Sequence, residues 1–286
     1  MMIHLLDGTY ELFRHYYGRR RFDQGRFDQG RFDQSKAPFG AVAGVLHTVL
    51  EMIEKGATHL GVATDHVIES FRNRLWPGYK TSQGVERALL AQFQPLEEAL
   101  TAMGVAIWPM IELEADDALA SAARIAAADE SVQKVCIWTP DKDLAQCVRG
   151  DRVVQVDRRG KKILTAEGVR EKFGVDPVLI PDFLGLVGDT ADGYPGIPGI
   201  GRITAARLLN RYGFLESFPS GVLQHHRDLA LRFKDLATLR TDAPLFRDVD
   251  ELRWRGPTPA FVAYAERLGD PRLLQRCQQV MPERKL

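Results

Sequence analysis

Short apolar runs recur through the first half of the chain, and each leads to acids. Ile3-His-Leu-Leu6 ends at Asp7-Gly8, and His59-Leu-Gly-Val-Ala-Thr64 ends at Asp65. Val105-Ala-Ile-Trp108 leads to Glu112-Leu-Glu-Ala-Asp-Asp-Ala-Leu-Ala120, and Val135-Cys-Ile-Trp-Thr139 to Pro140-Asp-Lys-Asp143. Brief continuous apolar runs are the pattern of strands buried on both faces. Between them, apolar positions recur at helical spacing over 39–55, about 85–103 and the alanine-rich 118–128. Pro95 predicts a kink in the second of these. A further helix is predicted after Asp7 and carries Arg14, Tyr16 and Tyr17. Runs at 153–156 and 161–164, around Asp157-Arg-Arg-Gly160, predict a hairpin. Strands alternating with helices over 1–150 predict an α/β fold with a mainly parallel central sheet flanked by helices.

In such open sheets ligands bind at the C-terminal strand ends. Asp7, Asp65, Glu114, Asp116, Asp117, Asp141 and Asp143 all fall on that edge. Acids before the 118–128 helix also suit helix capping, because free N–H groups there carry partial positive charge. Asp7-Gly8 likewise suits a turn. Acids at four separate strand ends exceed what caps and turns explain. Crowded carboxylates raise one another's pKa unless a cation is present.

Net charge is zero, so contact with nucleic acid would rest on local basic patches. One candidate is Phe71, Arg72, Arg74, Trp76, Tyr79 and Lys80, where bases and phosphates would find aromatic faces and cations. Another is Gly196-Ile-Pro-Gly-Ile-Gly201, read as a tight hairpin entering a helix, followed by Arg202, Thr204, Arg207 and Arg211. Its glycines permit positive φ and close approach of backbone N–H groups to a phosphate. Asp189 and Asp192 lie just before it. Arg21-Phe-Asp-Gln-Gly, Arg26-Phe-Asp-Gln-Gly and Arg31-Phe-Asp-Gln-Ser repeat with period five, which matches neither helix nor strand and predicts a surface loop. Cys136, Cys147 and Cys277 have no redox or metal-finger spacing. The N-terminus lacks the basic flank of a signal peptide, and no apolar run is long enough to span a membrane. The expectation is a soluble cytoplasmic protein.

In order and spacing these motifs resemble the 5′-nuclease family: the N-terminal 5′-3′ exonuclease domain of bacterial DNA polymerase I and the phage flap endonucleases. The matching residues are Asp7-Gly8, Asp65, Phe71-Arg72, Tyr79-Lys80, Glu114-Ala-Asp-Asp117, Thr139-Pro-Asp-Lys-Asp143 and 188–201, with Leu236-Ala-Thr-Leu-Arg-Thr-Asp242 as a C-terminal helical region. The resemblance implies a PIN-like α/β catalytic domain over 1–175, with a helical arch. It implies a helical DNA-binding domain over 176–286 with a helix–three-turn–helix element. The implied activity is structure-specific 5′-3′ exonuclease and flap endonuclease cleavage of DNA with 5′ flaps, nicks or free 5′ ends.

Two Mg²⁺ or Mn²⁺ ions would be held. Asp7, Asp65, Glu114, Asp116 and Asp117 serve the first, and Asp141, Asp143, Asp189 and Asp192 the second. K⁺ is implied at the 196–201 hairpin. Lys80 and Arg72 would face the phosphate, and Tyr79 would stack on the adjacent base. Arg14, Arg74, Gly196, Gly199, Gly201, Arg202 and Thr204 would contact DNA. The protein would be a nucleoid-associated monomer working with a separate polymerase and ligase. Ile203 and Gln83 depart from the family's basic residues, Gly193 from a common Asn and Pro140 from a common Gly. A DNA-structure binding protein with weak or no cleavage is the alternative. Leu6-Asp7-Gly8-Thr9 also invites a haloacid-dehalogenase phosphatase, but the partner acid that chemistry needs is not supplied at Leu5.

Overall fold

The computed structural model describes residues 1–25, 39–158, 160 and 162–281. Five strands run parallel: β1 (Met2–Asp7), β2 (His59–Asp65), β3 (Ala106–Met110), β4 (Lys134–Trp138) and β5 (Val153–Asp157). A sixth, β6 (Lys162–Leu164), returns antiparallel to β5 as the predicted hairpin. The order is β3-β2-β1-β4-β5-β6. The chain therefore builds outward from β1 to β3, then resumes at β4 on the other side of β1. That reversal makes the C-terminal edge between β1 and β4 a natural crevice.

Alternation along the strands divides the core. Leu6, Leu60 and Val62 face one layer, whereas Ile3, Leu5, Ala63, Val135 and Ile137 face the other. The first layer contains α1 (Gly8–Gly25) and α2 (Gly40–Glu54). Two four-residue turns follow, α3 (Arg72–Leu75) and α4 (Arg87–Leu90), then α5 (Phe93–Ala102). The opposite face carries α6 (Ala115–Ala128), whose Ala118, Ala122 and Ala126 are fully buried.

A helical layer follows: α7 (Ala166–Phe173), α8 (Ile180–Val187), α9 (Arg202–Tyr212), α10 (Ser220–Leu223) and α11 (Arg227–Ala237). At Gly185, α8 lies so close to α11 that a Cβ would stand 2.8 Å from the Lys234 nitrogen. The chain then returns to the sheet layers. Leu239, Phe246 and Leu252 join the α6 core, while α12 (Phe261–Arg267) and α13 (Pro271–Val280) join the α2–α5 core.

Two local expectations change. The 85–103 helix is broken at Ala91–Gln92, so Pro95 falls in the first turn of α5, where a missing N–H is harmless. The first repeat unit, 21–25, belongs to α1 rather than to a loop. Extending a nucleated helix needs only one hydrogen bond per added residue, which lets it run through a weak sequence. The units at 26–34 lie outside the described residues. The stretch through Tyr79 and Lys80, which the resemblance implies as the arch, comprises α3, α4 and an intervening loop.

Candidate active site

The strand ends deliver their acids as the pattern predicts. Tyr10 N–H donates to Asp7 Oδ1 at 2.8 Å, and Thr139 Oγ1 donates to Oδ2 at 2.9 Å, so Asp7 joins the first turn of α1 to the end of β4. Ala115 N–H donates to Asp65 Oδ1 at 2.8 Å, tying β2 to the start of α6. Glu114 is the α6 N-cap, and Asp117 completes a capping box by accepting the Glu114 N–H at 2.9 Å. Capping therefore accounts for two of the acids. Asp116, between them, is left to face the crevice.

Asp117 and Arg72 correct the sequence reading. Arg72 is 1% exposed and Asp117 fully buried. The guanidinium grips both Asp117 oxygens at 2.7 and 2.8 Å and Glu114 at 3.1 Å. It also donates to the Leu236 and Thr238 carbonyls, and Arg240 N–H donates to Asp117 at 2.8 Å. Arg72 is thus occupied internally rather than facing a phosphate, and Asp117 has a guanidinium where a metal was expected. The 236–242 motif closes this buried cluster. Tyr79 is also displaced from its expected stacking role: it is buried, and its hydroxyl donates to Glu114 at 3.2 Å.

Lys80 is half-buried and does meet the acids. Its Nζ lies 2.9 Å from Glu114 and 3.0 Å from Asp192. Burial opposes charge on Glu114, but Lys80 and Arg72 overcome it and hold the carboxyl down at about 2. Glu114 also accepts from Ser70 at 2.6 Å, so its oxygens serve side chains of the protein.

Asp7, Asp65, Asp116 and Asp143 behave in the opposite way. Burial first, then Asp65 and Asp141, push Asp7 up to about 7. Asp116 is raised well above the carboxylate range by burial and by Asp141 and Asp7. Asp65 is raised by burial, which Lys80 only partly offsets. Asp143 is raised by burial and by Asp141, Asp192 and Asp189. Asp141 raises carboxyls in both sets.

Asp143, Asp189 and Asp192 bring carboxylate oxygens within 4.8 Å of one another. The buried Asp143 Oδ1 has no hydrogen-bond partner among the described residues. An orphaned buried oxygen, and burial and neighbouring acids that raise the Asp143 and Asp192 carboxyls, fit a hard divalent cation, for which all-oxygen donors are suited. Lys142, inside the quoted Asp141–Asp143 run but assigned no role from sequence, pairs with Asp189.

The 76–80 segment is locked to the loop bearing Asp189 and Asp192. Trp76 Nε1 donates to the Gly193 carbonyl at 3.1 Å, and Lys80 N–H to the Asp192 carbonyl at 3.0 Å. Gly193 has φ +85°, and a Cβ there would stand 1.9 Å from the Gly78 oxygen. Gly193→Ala is expected to destabilise the protein by more than about 2 kcal/mol, combining left-handed strain with a backbone clash. An unchanged thermal midpoint would show that this junction yields freely.

The other basic and glycine positions divide. Arg14 pairs with buried Glu11 and reaches Thr48, between α1 and α2, rather than the acid edge. Arg74 is exposed and pairs with exposed Glu112 at 3.0 Å. Gly196 and Gly199 have φ +74° and +78°, but Gly201 is extended at φ −88°. Gly196 is buried against Gly188, while Gly199 and Gly201 are open and exposed. Arg202 folds back over Phe173 and Phe183. Thr204 is half-buried on the first turn of α9, beside Ile203, which is 87% exposed.

Fold and site define a class: a mainly parallel sheet gathering acids at its C-terminal edge, with a helical layer beside it. The family model described as "5'-3' exonuclease, N-terminal resolvase-like domain" matches residues 2–174, and "5'-3' exonuclease, C-terminal SAM fold" matches 175–260. The chain belongs to the 5′-3′ exonuclease family. It is 31% identical over 257 residues to a 5′-3′ exonuclease of Buchnera aphidicola subsp. Baizongia pistaciae, covering 83% of this chain and 81% of that one. It is 32% identical over 248 residues to DNA polymerase I of Bacillus caldotenax, covering 81% of this chain and 28% of the polymerase. The chain thus spans about a quarter of the polymerases it matches, with 25% for that of Pseudomonas aeruginosa. Zinc-bound T5 5′-exonuclease superposes with TM-score 0.65 at 17% identity, covering 98% of both chains. The catalytic core of Rad2 with DNA substrate gives 0.58 at 13%, covering 97% and 92%. At those identities the likeness is one of fold. No helix among the described residues is long and apolar enough to cross a membrane.

Proposed function

We propose that this chain is a structure-specific 5′-3′ exonuclease and flap endonuclease that hydrolyses DNA phosphodiesters near 5′ ends. The carrying observation is the Asp143–Asp189–Asp192 cluster beside Asp7, Asp65, Asp116 and Asp141. Asp7, Asp65 and Asp116 would hold one Mg²⁺ or Mn²⁺, Asp143, Asp189 and Asp192 a second, with Asp141 between them. Bound divalent cations supply a water of lowered pKa and neutralise charge on the transferring phosphoryl group. Glu114 and Arg72 act through the chain itself, by anchoring Lys80 and the α6 N-terminus. Lys80 would turn from Glu114 and Asp192 toward the phosphate, and the product would carry a 5′ phosphate. Gly199, Gly201, Thr204 and the α9 N-terminus offer an exposed backbone surface for duplex DNA, with K⁺ as a candidate ion there. In this reading the cleaved ends would pass to a separate polymerase and ligase, which would complete repair. A 5′-labelled flapped duplex incubated with Mg²⁺ tests it, with product lengths read on a gel. Cleavage that survives exhaustive chelation would refute the metal assignment.

Lys80→Ala is expected to slow single-turnover cleavage on the order of 10²-fold, the effect of removing one preorganised charge. Duplex binding should change little, with about one unit of salt slope at most. Equal losses in both would move Lys80 to general backbone binding.

A further inference from the structure

Tyr194 sits at the end of the loop that carries Asp189 and Asp192. Its backbone is fixed to Asp189 in both directions: Asp189 N–H donates to the Tyr194 carbonyl at 2.8 Å, and Tyr194 N–H returns to Asp189 at 3.0 Å. The ring packs beside Phe233, 5.4 Å between centroids, and the residue is 1% exposed. Its hydroxyl is buried with no hydrogen-bond partner among the described residues. The charges that act on it most strongly are those of Asp143, Asp192 and Asp189. Asp143 Oδ1 is orphaned in the same region. One buried donor and one buried acceptor thus lie unpaired beside the same cluster. Leaving either unmade is unfavourable, and a phenylalanine would fill the apolar site without that penalty.

We propose that Tyr194 is a positioning residue for the Asp143–Asp189–Asp192 cation site, its hydroxyl donating to Asp143 through one water of a hydrated divalent ion. It thereby selects which Asp143 oxygen is offered to the ion. The inference rests on the divalent-cation reading of this cluster, not on cleavage.

Mn²⁺ binding to the DNA-free protein, followed by the electron paramagnetic resonance signal of the free ion, tests it. Tyr194→Phe is expected to weaken the affected Mn²⁺ site by roughly five- to tenfold, the effect of one ordinary net hydrogen bond. Its metal-free thermal midpoint should not fall. Asp143→Asn should weaken the same site, and adding Tyr194→Phe to it should produce little further loss, because the hydroxyl acts through Asp143. Unchanged Mn²⁺ affinity in Tyr194→Phe would overturn the proposal. So would full additivity with Asp143→Asn, or a metal-free midpoint lowered by more than roughly 3 °C, which would mark a structural hydroxyl. Flap cleavage is measured separately. Its absence with Mn²⁺ binding intact would sink the nuclease reading alone.

Discussion

Arg72→Ala is expected to lower the thermal midpoint by roughly 6–10 °C, the largest stability change of any single substitution considered. The guanidinium lies between two carboxylates that have almost no contact with water. Removing one partner from such a buried pair leaves an uncompensated charge, which typically costs about 3–5 kcal/mol. A chain of this size shifts by about 2 °C per kcal/mol. Asp117 cannot move to solvent, because it also accepts the Glu114 and Arg240 N–H groups. Arg72→Lys should recover only a minor part. A lysine cannot grip both Asp117 oxygens while also donating to the carbonyls of Leu236 and Thr238. Calorimetry on the metal-free protein at neutral pH measures this. An alanine variant with an unaltered midpoint but slowed cleavage would restore Arg72 to the phosphate.

That contrast shows what the sequence could and could not reveal. Strand ends were legible because apolar runs stop abruptly at acids, and β1, β2 and β4 match their predicted runs to within a residue or two. The gathering of Asp7, Asp65, Asp116, Asp141 and Asp143 followed from parallel topology alone. The division of labour among the acids did not. Glu114 and Asp117 differ from Asp116 only by the direction each takes from the first helical turn, and a one-residue step rotates the side chain by about 100°. Nor does a basic-aromatic stretch announce which cations are buried. Arg72 is enclosed by 236–240, more than 160 positions away, whereas Lys80 remains half-open. A five-residue period says nothing about whether an existing helix can run on, so it hides the helical state of 21–25. The reason for glycine at 193 is the Gly78 carbonyl across the junction, which no local pattern contains.

Asp143→Asn is expected to make the metal-free protein more stable at pH 8 and to reduce cleavage on the order of 10³-fold. Burial, followed by Asp141, Asp192 and Asp189, holds the Asp143 carboxyl well above the ordinary range. In the unfolded chain the same group ionises at about 3.9. Between those values the native chain retains a proton that the unfolded chain has released, so stability falls as pH rises through the window. Asparagine cannot ionise, and the variant should escape that fall. Its advantage should shrink as the pH drops and vanish below about pH 4, where both states of wild type hold the proton. Divalent metal reverses the order. A ligand at 100 times its Kd adds about 2.7 kcal/mol to the form that binds it, and wild type should gain more than the variant. A neutral amide also stabilises charge at the reacting phosphate less than a carboxylate-held ion does. A 10³-fold loss is about 4 kcal/mol of barrier, within the several kcal/mol attributed to one bound metal. Thermal midpoints from pH 4 to 8 with and without Mg²⁺, paired with single-turnover cleavage of a flapped duplex, read both effects. Activity within tenfold of wild type would remove Asp143 from the cation site. A metal-free midpoint that does not rise at pH 8 would show that its neighbours do not repel it.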